Sequence, residues 1–381
     1  MNLDFETLRL LAWALLILSL IGYGLCEGIS LGTMALLTFV SRHDPERQLL
    51  IASIAPTSFL QQAWLIAVIA LLFAAWPLVY AVGFACMQPL LLVIILAWLI
   101  RPLVLIFRNA AEQIWRQRFD KLLAYGSLLA IVSLGLIAGN VIRGIPFHLD
   151  DQMHIVFLGD FWALLNPFAL LIAATASSLL LFHGALFLQL DRRASYNEAC
   201  RALALKAGGV FMLLFIVSGL WVSRLEGYHI SSDIITHAAS NPLLKFVKRG
   251  EELWMDNYQH QISLWALPVI AIISAGLGTW FCYQHKTYAA FLSSCVSIAT
   301  VILTIALTLF PFILPSNRSL NTSLTLWDSS SSAGNLALLL PVIALALPLM
   351  AFISRWAYRM PNQLSQQNRS DACAAADNHN C

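Results

Sequence analysis

Charge is scarce in this sequence. Only 11% of its 381 residues are Asp, Glu, Lys or Arg, against 59% hydrophobic residues and a mean hydropathy of +0.76. That balance excludes an ordinary soluble domain, in which roughly a quarter of residues are charged. A net charge of +2 without a basic stripe excludes nucleic acid as a partner. The sequence also has no P-loop, no GxGxxG after a strand, no GxSxG and no HExxH. Its seven cysteines, Cys26, Cys86, Cys200, Cys282, Cys295, Cys373 and Cys381, form no CxxC and no His/Cys cluster at ligand spacing. No metal site is expected, and most of these cysteines read as small apolar fillers. No repeat of roughly 20–50 residues is present, which excludes solenoids and propellers. A cleavable signal peptide is also missing: Met1 to Glu6 is acidic, and the apolar run that follows is too long for an h-region. The first apolar segment is therefore a retained span.

What the sequence has is apolar length. Runs at 8–40, 49–76, 78–107, 122–142, 161–190, 203–225, 262–283, 288–313 and 335–357 predict an all-α polytopic membrane protein of about nine helices. Trp76-Pro77 predicts a very tight turn between the second and third. Lys and Arg in the odd-numbered connections and the tail include Arg42, Arg47, Arg108, Arg116, Arg118, Lys121, Arg192, Arg193, Arg201, Lys286, Arg355 and Arg359. The other side carries Arg9, Arg143, Arg224, Lys245, Lys248, Arg249 and Arg318, mostly in one long loop where charge counts weakly. The expected topology has the N-terminus outside and the C-terminus cytoplasmic, with long outer segments at 223–261 and 315–335. The polar tail, 358–381, is expected to be disordered.

One carboxyl stands out. A continuous helix over 8–39 would be about 48 Å long against a hydrocarbon core of about 30 Å, which puts Glu27 at membrane depth. An ionised acid there costs on the order of 2.5–3.5 kcal/mol on insertion scales and needs a reason. Desolvation favours its neutral form unless a cation compensates. Glu27 is either a neutral acid hydrogen-bonded to a neighbouring helix or a proton relay. Gln61, Gln62, Gln88 and Gln189 read as interhelical hydrogen-bonding groups, with polar lining of a quinone or water path as the alternative. Arg101 and Arg108 near one span end read as snorkelling to the interface, with an anion site as the alternative. His183, inside a span, is the candidate ligand for haem iron or another metal; the competing role is a hydrogen-bonded packing residue. Trp64, Trp76, Trp162 and Trp221 are assigned to the aromatic belts.

A set of short motifs names a family. Ser53-Ile-Ala-Pro, Leu72-Phe-Ala-Ala-Trp-Pro-Leu-Val-Tyr, Arg101-Pro, Gly139-Asn-Val-Ile-Arg-Gly-Ile-Pro-Phe, Leu165-Asn-Pro-Phe, Ser240-Asn-Pro-Leu, Phe310-Pro-Phe-Ile-Leu-Pro and Ser323-Leu-Thr-Leu-Trp-Asp occur in order along the chain. Together they resemble subunit II of the cytochrome bd-type quinol oxidases. The resemblance implies one transmembrane domain over 1–357, built as two four-helix bundles (1–142 and 161–313) plus a peripheral helix (335–357). It implies a haem-free subunit that binds no cofactor alone. Its partner would be a larger subunit I holding haems b and d, which oxidises quinol, reduces dioxygen to water and generates a proton gradient. A structural quinone, membrane lipid and a small single-helix accessory subunit are further expected companions, and the location is the bacterial inner membrane. Trp64, Arg101, Asn140, Trp327 and Asp328 become motif or subunit-packing candidates, with no catalytic residue expected.

The departures concern acids. Where the family resembles Asp-Gly-Phe-Asp-x-Gly, this chain has Glu27-Gly28-Ile29-Ser30-Leu31-Gly32, which keeps the first carboxyl and loses the second. The acids of two further patterns are replaced by Phe59 and Ile106. The resemblance is therefore to a divergent branch, with Glu27 as its remaining relay candidate. The competing readings are a secondary transporter or proton channel using Glu27, and a non-catalytic paralogue with the same fold.

Overall fold

The computed structural model describes residues 4–41, 43–54, 58–108, 110–191, 195–233 and 235–357, with only the backbone at 58–60. The tail at 358–381, Arg42, Arg192, Arg193 and the Phe59 side chain lie outside the described residues.

The chain begins with the long helix α1 (Phe5–Val40), followed by the short α2 (Asp44–Ile54). From Cys26 to Leu37 every residue of α1 is buried. A helix buried all round is the centre of its fold. Next in the chain are α3 (Ser58–Ala75), α4 (Pro77–Cys86), α5 (Gln88–Arg108) and α6 (Gln113–Arg143). Then come α7 (Pro167–Leu188), α8 (Asn197–Val222), the short α9 (Asp256–His260), α10 (Ala266–Tyr283), α11 (Thr287–Leu309) and α12 (Ala333–Ala357). Among the described residues eight helices are long and apolar enough to cross a membrane, and up to nine if the bent pair α3–α4 counts as one span.

Two predicted spans differ in outline. The run at 49–76 divides into α2 and α3, and the run at 78–107 divides at Met87 into α4 and α5. Apolar continuity hid the break at Met87, whereas proline marks the predicted turn beside Trp76. Pro77 cannot donate a backbone hydrogen bond and sits at the first position of α4, which turns 120° away from α3.

α1 packs against α3, α6, α7, α11 and α12. α5 lies on α6, α7 on α8, α8 on α10, and α10 on α11, while α12 rests on α1 and α3. The α1–α7 crossing is close. A Cβ on Gly32 would stand 2.1 Å from the Leu180 carbonyl oxygen, and one on Gly184 would stand 2.5 Å from the Gly32 carbonyl carbon. Only glycine permits backbones to approach so closely.

The polar segments gather at one end of the helices, the end where α1 begins. Three antiparallel hairpins stand there: β1 (Phe147–Leu149) with β2 (Ile155–Phe157), β3 (Gly227–Ile230) with β4 (Val247–Gly250), and β5 (Phe312–Leu314) with β6 (Leu324–Thr325). Their edges are tied to one another, as where Val247 N donates to Asn321 Oδ1 at 3.0 Å.

Candidate functional site

The buried residues of α5 are Leu90, Ile94, Arg101, Val104 and Arg108. Their spacing of three, four and seven is one stripe of a helix, so both arginines point inward with the apolar residues. Arg101 does not snorkel. It is 3% exposed, and Glu27, at 5%, faces it from α1. The pair is bidentate: Arg101 Nη2 donates to Glu27 Oε1 at 2.7 Å, and Nη1 donates to Oε2 at 3.2 Å. Nη1 also donates to Ser30 Oγ at 2.9 Å and lies 3.5 Å from Gln61 Oε1. One turn after Glu27, Ser30 presents its hydroxyl to the same guanidinium from the same face of α1. By helix rise, Glu27 lies about 33 Å from the start of α1 and about 20 Å from its end. The arrangement is a fixed ion pair at depth, with the charge of each member cancelled by the other.

Arg108, two turns along, is also buried. Its Nε and Nη2 donate to Asp120 of α6 at 2.6 and 3.2 Å, and Nη2 donates to Asp44 of α2 at 2.7 Å. Arg47 and Arg116 complete the network, each 3.4 Å from one of these acids. The sequence reading passed over Asp44 and Asp120. The signal was available, because Asp120, Leu123, Ala124 and Ser127 are one buried face of α6. Ile106, which stands where the resembled pattern has an acid, points out of the protein at 68% exposure.

His183 is fully buried, and both its ring nitrogens are occupied. Nδ1 lies 2.8 Å from Ser294 Oγ, and Nε2 lies 3.3 Å from the Leu25 carbonyl oxygen, with Phe291 stacked at 5.1 Å. An axial ligand needs a ring nitrogen lone pair directed at iron. These contacts do not fit haem, and among the described residues no group of three or more His, Cys, Asp and Glu could hold a metal ion.

The remaining candidates separate. Trp64 and Trp76, assigned to the aromatic belts, are in the core instead. Trp64 Nε1 donates to Ser354 Oγ of α12 at 3.1 Å, and its ring fills the space beside Gly22 of α1. Trp162 and Trp221 are exposed, at 73% and 41%. Gln62 is half-buried on α3 and Gln88 is exposed at the α4–α5 joint, so the structure brings neither to the Glu27 pair. Gln189 accepts from Cys282 Sγ at 3.3 Å. Asn140 donates to the Leu136 and Leu164 carbonyls, both at 2.8 Å, and accepts from Asn166 at 2.9 Å. Asn166 in turn caps α7 by accepting from Ala169 N. Asp328 accepts from Thr325 N at 2.9 Å and pairs with Lys245 at 2.6 Å, while Trp327 packs edge-on against Phe310. Burial pushes the Lys245 ammonium below its ordinary pKa, with Asp328 opposing. The Tyr228 phenol, in β3, is pushed up to about 12 by burial.

By sequence, Arg9 is among the charges of the outer side. It is fully buried and donates to Ser330 Oγ at 2.7 Å, to the Thr236 and Ala238 carbonyls and to Ser240 Oγ. It therefore ties both long outer segments to the beginning of α1.

A family model described as cytochrome bd terminal oxidase subunit II matches residues 8–361. The chain belongs to that family. It is 33% identical over 358 residues to cytochrome bd-I ubiquinol oxidase subunit 2 of Escherichia coli K12, covering 93% of this chain and 94% of the relative. To a cytochrome bd ubiquinol oxidase subunit 2 of Bacillus subtilis it is 26% identical over 351 residues, 91% of this chain and 94% of that one. Its fold matches a chain in the structure of bd oxidase from Geobacillus thermodenitrificans with a TM-score of 0.68, at 12% identity, over 95% of this chain and 99% of that one. As a bd-family subunit II the chain is a multi-pass bacterial membrane protein and a component of a quinol:oxygen oxidoreductase, which implies a subunit I as partner.

Proposed function

We propose that this subunit II is the structural half of its oxidase, holding no redox centre and fixing the frame on which a haem-bearing subunit I is seated. Haems b and d would reside in that partner, where they supply the electron transfer from quinol to dioxygen. The carrying observation is the Glu27–Arg101 pair: the acid at membrane depth is closed against a guanidinium by two hydrogen bonds, a geometry suited to a fixed counter-charge. In this reading Gln61 and Ser30 restrain Arg101, Trp64 fastens α12, and His183 joins α7 to α1 and α11. The helices divide into a bundle of α1, α3, α5 and α6, a second of α7, α8, α10 and α11, and a peripheral α12. The hairpin end faces outward and the C-terminus inward. A structural quinone or lipid in an apolar groove, and a single-helix accessory subunit, complete the assembly.

The test is co-expression with the neighbouring large-subunit gene, followed by a visible spectrum and a quinol oxidation assay. Co-purification with the red band of haem d is expected. A chain that purifies without a haem subunit would overturn the proposal. Glu27→Gln separates the roles of the acid: lost assembly with normal turnover per haem marks a counter-charge, whereas normal haem content with lowered turnover marks a proton relay.

A further inference from the structure

At the hairpin end, away from the Glu27 pair, lies a cavity of about 380 Å³ between the end of α6 and the turn that leads into α7. That volume is at the lower end of the range for small-ligand sites. Its lining is unusual for so uncharged a chain. Arg143 from the last turn of α6, Arg249 from β4 and Arg318 from the segment after β5 all border it, and no carboxylate does. Arg249 is paired with Glu226 at 2.6 Å. Among the described residues no carboxylate pairs with Arg143 or Arg318. Asn317, also in the lining, donates to the Gly144 carbonyl at 2.8 Å, but its buried Oδ1 has no hydrogen-bond partner.

We propose that this cavity is a binding site for a phosphate group, of the kind carried by an acidic phospholipid headgroup or by free inorganic phosphate. Arginines from three separate chain segments border this one space, and the planar fork of N–H donors that each carries suits phosphate oxygens. Arg143 alone could be read as complementing the α6 dipole. That reading gives no reason for Arg249 and Arg318 to border the same space. The Asn317 Oδ1 asks for a donor, which the hydroxyls of a glycerol headgroup or a protonated phosphate oxygen supplies. The rim favours the lipid source. Trp162 lines the cavity, and Phe161, Leu158 and Val156 beside it expose large apolar side chains, the arrangement of a membrane interface. Basic pockets at such interfaces hold lipid headgroups.

The test uses the full-length chain as purified, with any haem subunit that accompanies it, stripped of lipid by detergent exchange. Thermal unfolding is followed during titration with dioleoyl-phosphatidylglycerol, with dioleoyl-phosphatidylcholine and with inorganic phosphate. A saturable rise in Tm with phosphatidylglycerol, absent with phosphatidylcholine and weakened about tenfold or more in Arg143→Gln/Arg318→Gln, is expected. The same arginine-dependent rise with inorganic phosphate alone assigns the site to the free ion. Equal responses of wild type and double variant to every additive would overturn the proposal. Arg318→Gln alone, at an exposed position, and Arg143→Lys, which keeps the charge, guard against misfolding of the double variant. Arg318→Gln should weaken the response, Arg143→Lys should largely retain it, and the reverse order would also overturn the site.

Discussion

At Glu27 the decisive fact is its partner. Removing one member of a buried ion pair leaves the other charge uncompensated in a medium that solvates it poorly, a loss of roughly 3–5 kcal/mol. Arg101→Met and Glu27→Gln should each destabilise by about that amount, read as a fall in Tm of the purified protein. In Glu27→Gln/Arg101→Met the residual charge is gone, so its loss should be well below the sum of the two single losses. Additive losses would show that the pair is not coupled. His183→Asn should leave the haem content of the complex unchanged in a visible spectrum, because both ring nitrogens of His183 are spent on Ser294 and Leu25. These partnerships were not legible in the sequence. Glu27 and Arg101 are 74 positions apart, and composition shows only two costly charges. The heptad spacing of Ile94, Arg101 and Arg108 did place both arginines on an inward stripe, which is the one signal that could have corrected the snorkelling assignment.

Among the elements, α1 and α7 depend on two glycines. Gly32→Ala must displace the Leu180 carbonyl and should separate the helices, with a loss of yield or several degrees of Tm. Gly126→Ala on α6, which would meet nothing within 4 Å, should be neutral or slightly stabilising by helix propensity. The β1–β2 turn makes a pH prediction. Asp150 Oδ1 accepts from the backbone N–H of His154 and Gln152, and Oδ2 meets His154 Nδ1 at 2.8 Å. These bonds, the His154 backbone bond foremost, hold the carboxyl below its ordinary value of 3.8. A carboxyl depressed in the folded state contributes stability above its unfolded pKa and loses it as pH falls through the folded one. The turn should therefore hold at pH 5 and open only in strong acid, and Asp150→Asn should remove that acid step. Hydrogen exchange at the Gln152 and His154 amides measures both. Helix existence was legible here because apolar runs are long. The break at Met87 was not, since apolar residues flank it in both α4 and α5.

For the whole molecule, Arg9 is the fastening between helices and outer segments. Arg9→Met should release the stretch near Thr236–Ser240 from Ser330, seen as faster limited proteolysis within 231–245, with α1 itself retained. Unchanged cleavage would mean that the contacts independent of Arg9 hold the segment: Thr236 with Glu6, Ser240 with Ser330, the Lys245–Asp328 pair and the Val247–Asn321 bond.

The sequence by itself determined that this is a helical membrane protein and, through ordered motifs, which family it belongs to. Hydrophobic length and short local patterns are properties of contiguous residues, and both survive in a linear reading. Tertiary structure alone decided what the few charges are for. In an apolar medium each charge must find a counter-charge or polar neighbours, and the chain meets that demand across helices: Glu27 with Arg101, Arg108 with Asp120 and Asp44, and Arg9 with two distant loops. Such pairings are set by which helix faces meet, so they first become visible in the packed molecule.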